Sequence, residues 1–185
     1  MLRFKRFKPL FILLTAAALI FALPVSASAA GTRLFLVLDG IKGDSTDARL
    51  RDAIELRSFD FNVAKEVCPC TNAEKTKFHD IVITKSIDSA SLPLLERAAT
   101  GQKISNGVLY FQRGSVKQPT FLKIKFTNLT ITGYHLQENE GSDTSFEQIT
   151  FRAEKMVWEY SPQKLDGSSG LPIKVEIDTA NPSAK

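Results

Sequence analysis

Past residue 30 the chain reads as short runs of alternating apolar and polar residues, divided by Gly, Asp, Asn and Pro, the pattern of an all-β domain. A strand over 32–38 (TRLFLVL) leads into a long turn over 39–47 (DGIKGDSTD). The run 53–63 (AIELRSFDFNV) alternates twice, with Ile54 and Leu56 on one parity and Phe59, Phe61 and Val63 on the other. Such a flip predicts a bulge near Arg57 or Ser58, where one extra residue returns the apolar set to the same face. The runs 121–131 and 149–160 flip again, near Asn128 and Glu154. Repeated flips predict strongly bent strands, and so a small closed β-barrel or tight β-sandwich. Another strand starts near Phe78, and further strands are predicted over 104–112, 120–126, 129–137, 146–160 and 172–178, with loops over 138–145 and 163–170. One segment reads as a helix: 89–101 (SASLPLLERAATG) has a serine as N-cap candidate, an early proline, Leu92, Leu95 and Ala99 on one side, and Gly101 as its stop. A single short helix between strands is expected to plug or flank the barrel. No internal repeat, low-complexity tract or linker interrupts the run, so residues 30–185 read as one domain.

The segment before this domain changes the compartment. MLRFKRFK is a basic start, PLFILLTAAALIFAL an apolar run, and PVSASAA ends in small residues at an A-x-A site. Together they predict a secretory signal peptide over residues 1–29, cut after Ala29 or alternatively Ala27. The apolar run is about 14 residues, short of the roughly 20 that span a bilayer, so no membrane anchor is expected. No cysteine lies near the cut, against a lipoprotein, and no Arg-Arg pair precedes the apolar run, which favours the general export route. The expected location is therefore periplasmic or extracellular. The formal charge of +4 belongs to this leader: without Arg3, Lys5, Arg6 and Lys8, 20 of the 24 basic residues remain against 20 acidic ones. A neutral domain has little claim on nucleic acid as a partner. A mature chain of about 155 residues buries about 68–70% of its unfolded surface, so its stability does not depend on disulfides.

Catalytic chemistry finds little support. His79 and His135 are the only histidines, each in or beside a strand, and no G-x-S-x-G elbow accompanies the serines. Glu138 and Glu140, two apart in a Gly/Ser-rich loop, read as solvated charges rather than an acid-base pair. Asp39, Asp44 and Asp47 offer oxygen ligands, but their spacing departs from the calcium loop and reads as turn chemistry. Lys123 and Lys125 read as the wet face of a strand. Asn128-Leu129-Thr130 is a formal glycosylation sequon placed inside a strand run. Trp158, alternating with Met156 and Tyr160, reads as core or as an interface anchor. No enzyme activity, metal or cofactor is expected.

The stretch FHDIVITKSIDSASLPLLERAATGQ (78–102) can be read as a unit. It resembles the Hcp family, the haemolysin-coregulated proteins that form the rings of type VI secretion tubes. Thr84, Lys85, Ile87 and Asp88 match its strand end, and Pro93, Leu94, Leu95, Thr100 and Gly101 its helix, with Gln102 in place of the usual lysine. The turn 39–47 and strand 54–61 resemble the family's first turn and second strand, and Tyr160, Gln163, Asp166 and Gly167 its Tyr-x-x-Gln-x-x-Asp-Gly stretch. The chain departs from the family in its cleavable leader and in IKVEID, which lacks the family's late aromatic residue. The resemblance implies a barrel with a flanking helix, packed into a homo-hexameric ring that can stack, with small effector cargo in the lumen and no catalytic residue. Two functions follow: an exported, non-enzymatic structural ring protein, or a secreted binding or adaptor module that keeps the barrel without forming tubes.

Both cysteines, Cys68 and Cys70, flank Pro69 between the second strand and the strand near Phe78, a connection that in the family is a long loop reaching toward the next ring. Pro69 biases Cys68 toward an extended conformation, so a local disulfide would carry strain. Export to an oxidising compartment leaves four states open: that local disulfide, bridges between chains or stacked rings, free thiols, and a metal site with only the distant His79 at hand.

Overall fold

The computed structural model describes residues 31–67, 74–114, 120–138, 145–166 and 168–179. The expected leader, Cys68, Cys70, Glu140 and Gly167 lie outside the described residues. In chain order the elements are β1 (Thr32–Leu38), β2 (Ile54–Asp60), β3 (Val63–Val67), β4 (Glu74–Phe78), β5 (Ile81–Ser86), α1 (Ser91–Thr100), β6 (Ile104–Arg113), β7 (Thr120–Gln137), β8 (Phe146–Tyr160) and β9 (Ile173–Asp178). Six strands run in the order β5-β2-β1-β6-β7-β8, and β5 pairs back onto β8 to close the barrel. Closure leaves no free edge within that ring of strands. β8 is long enough to be shared: Phe146 to Phe151 pair with β5, and Lys155 to Tyr160 pair with β9. β9 is therefore an added seventh strand outside the closed ring.

Alternation puts one parity of each strand inside. Leu36, Ile54, Ile83, Leu109, Ile124 and Ile149 fill the interior, and the Phe126 and Phe151 rings meet edge to face with centroids 5.4 Å apart. The bulge expected in the second strand is present: Leu56 pairs with Lys85 and Ser58 with Thr84, so Arg57 is the extra residue. At Asn128 and Glu154 the parity flips without a change of register, because Thr127 pairs with Lys155 and Leu129 with Ala153. The two flips face each other and cancel, with Asn128 at φ 52° and its amide donating to Glu154 (2.9 Å). β6 flips at the same level, burying Ile104 and then Gly107 and Leu109, so three neighbouring strands bend together. The register shift in β7 comes four residues later, where Ile131 pairs with Phe151 but Gly133 with Thr150.

Three expectations are corrected. The segment read as a connecting loop is a hairpin, β3 with β4, braced by Lys65–Glu74 (3.0 Å) and Lys77–Glu66 (2.7 Å) ion pairs. Its strands are rich in charge and mostly exposed, with Ala64, Thr76 and Phe78 half-buried and none fully buried, so they lack the strong apolar alternation that marks a core strand. In α1, Leu92 is 76% and Leu95 42% exposed, Ala99 is exposed as well, and it is Leu94, 1% exposed, that enters the core. The inward row is Ser91 and Leu94, both buried, with the partly buried Ala98, a stripe that includes a serine because its hydroxyl is hydrogen-bonded below. No serine caps the helix either: its N-cap is Ala90, whose N–H donates to the Asp88 carboxylate (2.8 Å). The stop is as expected, with Gly101 left-handed at φ 67° and its N–H donating to the Arg97 carbonyl.

The turn after β1 is pinned onto β2 by a close approach: a Cβ at Gly43 would lie 2.5 Å from the Ala53 carbonyl oxygen. Its three aspartates work separately. Asp39 accepts from Asn106, Asp44 from Ser89, and Asp47 from Arg33 (3.0 Å) and the Arg49 N–H (3.0 Å). The Arg49 N–H and the Arg33 guanidinium hold the Asp47 carboxyl below the usual range despite its burial.

Leu94→Ala is expected to cost about 2–5 kcal/mol in urea unfolding, whereas Leu92→Ala should stay within about 0.5 kcal/mol of the parent. The reverse order would place the other face of α1 on the barrel.

Candidate functional site

Ile81, Ile83 and Lys85 share the inward parity of β5, and Glu147, Ile149 and Phe151 that of β8. Lys85 and Glu147 are direct partners in the β5–β8 ladder, so a base and an acid face each other inside the seam that closes the barrel. Both side chains are 0% exposed and form an ion pair. The Lys85 ammonium also pairs with Asp88 (2.6 Å) and donates to the Ser86 carbonyl (2.8 Å) and the Ser91 hydroxyl (3.2 Å). Ser91 Oγ donates to Glu147 (2.8 Å) and accepts from the Asp88 N–H (3.0 Å). One cluster thus ties β5, β8, the turn at Asp88 and the first turn of α1.

The shift between Ile131 and Gly133 brings Tyr134 to this cluster, where its hydroxyl donates to the second Glu147 oxygen. Burial, then that hydrogen bond and the carboxylate charge, push the Tyr134 phenol from its ordinary 10.0 up to about 12. The raised value means that this contribution is complete below pH 10 and fades as the pH climbs toward 12. Lys85 is fully buried, and the cluster pins β5, β8 and α1 together.

Of the motif residues, Lys85 and Asp88 belong to the pin, and Thr84 sits beside them, paired with Ser58 on one side and Gln148 on the other. Pro93 lies in the first turn of α1, where its missing N–H costs nothing, Leu94 faces the core, Leu95 faces out, and Gly101 ends the helix. The second group lies elsewhere, in the link from β8 to β9. Tyr160 pairs with Leu122 and Ile173, Gln163 accepts from Arg113 (2.5 Å), and Asp166 accepts from the Ser168 hydroxyl (2.6 Å) and N–H (2.9 Å). Those Ser168 donors hold the Asp166 carboxyl below its usual range. The sequence reading missed Glu147, Tyr134 and Ser91. The signal for Glu147 was present: it occupies the inward parity two positions before Ile149, as Lys85 does two positions after Ile83.

The remaining candidates stay apart. The His79 N–H closes the hairpin base onto the Asn62 carbonyl, while His135 is exposed on β7 opposite Gln148. Glu138 is exposed. Lys125 (2.8 Å) and Lys174 (3.2 Å) meet Glu159 on the outer face, with Lys123 at 3.9 Å, and the Lys125 and Lys174 contacts hold the Glu159 carboxyl below its usual range. Among the described residues no group of three His, Cys, Asp or Glu side chains is placed to hold a metal ion. No described helix is long and apolar enough to cross a membrane.

The surface carries the apolar residues that are out of place. On β9, Ile173 is 62% and Val175 53% exposed. They extend the apolar rows Leu122–Tyr160 and Ile124–Trp158 across the sheet, with Trp158 set against Phe59 and Phe61 (centroids 6.4 and 5.6 Å). Leu92 and Leu95, with Ile87 close by in sequence, make a second exposed group.

Barrel, pin and exposed edge together define a small closed β-barrel carrying a docked helix and a hairpin, with a buried ion pair at its closing seam and an added strand outside it. The chain belongs to the Hcp family: the family described as "Type VI secretion system effector, Hcp" matches residues 35–160. Among solved structures, one described as a type six secretion system protein is 25% identical, covers 84% of this chain and 100% of its own, and superposes with a TM-score of 0.75. A type VI secretion system effector from Yersinia pestis is 27% identical over 78% of this chain and 98% of its own, with a TM-score of 0.65. Hcp1 from Salmonella typhimurium, 23% identical over 84% of this chain and 99% of its own, shares the fold with a TM-score of 0.69. No curated protein matches the sequence.

Removing one partner of the pin should be severe: Lys85→Ala is expected to cost about 3–5 kcal/mol, because it strands a buried carboxylate. The double variant Lys85→Met/Glu147→Leu should recover most of that loss in urea unfolding. A double variant as unstable as Lys85→Ala would show that packing, not the stranded charge, sets the cost.

Proposed function

We propose that the mature chain is a non-enzymatic structural protein of type VI secretion, exported by its leader and assembled as a homo-hexameric ring. The observation that carries this reading is β9. It has a single strand partner among the described residues and exposes Ile173 and Val175, which lie in line with the barrel's apolar rows. An edge of that kind invites pairing with another chain, and a ring that covers it removes the liability. Ring closure is heterologous, so the β9 edge of one copy meets a different patch on the next. The open centre of such a ring can carry a small effector, and rings can stack. The leader supports a periplasmic or extracellular place of work.

The leader also supports the second reading, a secreted binding or adaptor module that keeps the barrel without building tubes. Sedimentation of the purified mature protein and electron microscopy separate the two. Ring assembly predicts a particle of six chains with an open centre, and Ile173→Asp/Val175→Asp should reduce it to single folded chains. A parent protein that sediments as a monomer at micromolar concentration contradicts the ring. Fractionation tests export directly: retention in the cytoplasm with the leader intact contradicts it.

A further inference from the structure

A cleft of about 280 Å³ lies between the hairpin and the barrel. It exists because β8 changes partner: its pairing with β5 ends at Phe151, its pairing with β9 begins at Lys155, and the residues between sit at a fork. Thr179 crosses that fork, its N–H donating to the Glu154 carbonyl (3.0 Å) and its hydroxyl to the Ala153 carbonyl (2.6 Å). The fork opens onto core side chains, with Ile81, Ala153 and Met156 forming the floor and Phe61 and Phe78 the walls. Every ionisable residue lining the cleft is basic: Lys75, Lys77, His79 and Arg152. Two carboxylates face this group, Glu66 on Lys77 (2.7 Å) and Asp80 on Arg152 (2.6 Å). Lys75 lies within ion-pair distance of no carboxylate among the described residues, so positive charge is in excess at the rim.

An apolar floor that reaches the core, beneath a cationic rim, matches a molecule with an apolar body and an anionic head. We propose that this cleft binds a small amphipathic carboxylate, its apolar part against Phe61, Phe78 and Met156 and its head against Lys75 and Lys77. The volume is at the small end for ligand sites, which favours a short aryl or alkyl carboxylate over a drug-sized molecule. The site lies within one chain, so it stands or falls separately from ring assembly.

The single tryptophan, Trp158, packs against the Phe61 wall with ring centroids 5.6 Å apart and serves as a reporter. Titration of the full mature protein with phenylbutyrate should give a saturable change in its fluorescence, with the neutral phenylbutanol bound about tenfold more weakly. Lys75→Glu/Lys77→Glu, at exposed hairpin positions, should weaken phenylbutyrate about tenfold and leave phenylbutanol unchanged, while Lys123→Glu on β7 changes neither. No saturable response, equal binding of the two probes, or indifference to the double charge reversal would each overturn the site.

Discussion

The contact on which this structure depends is the ammonium of Lys85 facing the carboxylate of Glu147 across the β5–β8 ladder. A sheet becomes a barrel only when its first and last strands find one register, and a one-residue slip would turn every inward side chain outward. At this seam a slip would also separate two fully buried charges, which costs far more than misplacing an aliphatic pair. The pin therefore acts less as a source of net stability than as a penalty against the wrong closure. It also recruits Asp88 and Ser91, so the act that closes the barrel also seats the helix.

β8 carries the second constraint. It is one strand with two partners on the same side, β5 and then β9, and the exchange produces both the exposed edge and the basic fork. A six-stranded barrel has no edge of its own to offer a neighbour. The added strand restores one, with Ile173 and Val175 in the open. Surface chemistry in this Hcp-family chain thus follows from strand length: β8 outruns β5, and what binds its surplus defines the outer shape.

Much of this was legible in the residues. Alternation located β1, β2, β6, β8 and β9 closely because each has one wet and one dry face, and the parity flip at Arg57 named its bulge. The flips near Asn128 and Glu154 were also visible, but one strand read alone does not reveal that two flips face each other and preserve register. The hairpin escaped because Lys65, Glu66, Glu74, Lys75 and Lys77 give it charge on both faces. The helix was found and its face misjudged, since a hydrogen-bonded serine stands where an apolar residue was sought and two leucines point outward. Lys85 and Asp88 were identified by resemblance; that they meet Glu147 and Tyr134 depends on barrel closure and a shift in β7, which no local pattern encodes.

Hydrogen exchange in the Lys85→Met/Glu147→Leu variant tests most directly whether the pin joins the seam and the helix. In the parent protein the amides of β5 and α1 should exchange through one shared opening. In the variant, the apolar pair should keep β5 protected, while α1, having lost its anchor at Asp88 and Ser91, exchanges at least tenfold faster than β5. Protection of α1 that follows β5 unchanged in the variant would contradict the account, because the helix would then be held by Leu94 and its apolar contacts alone.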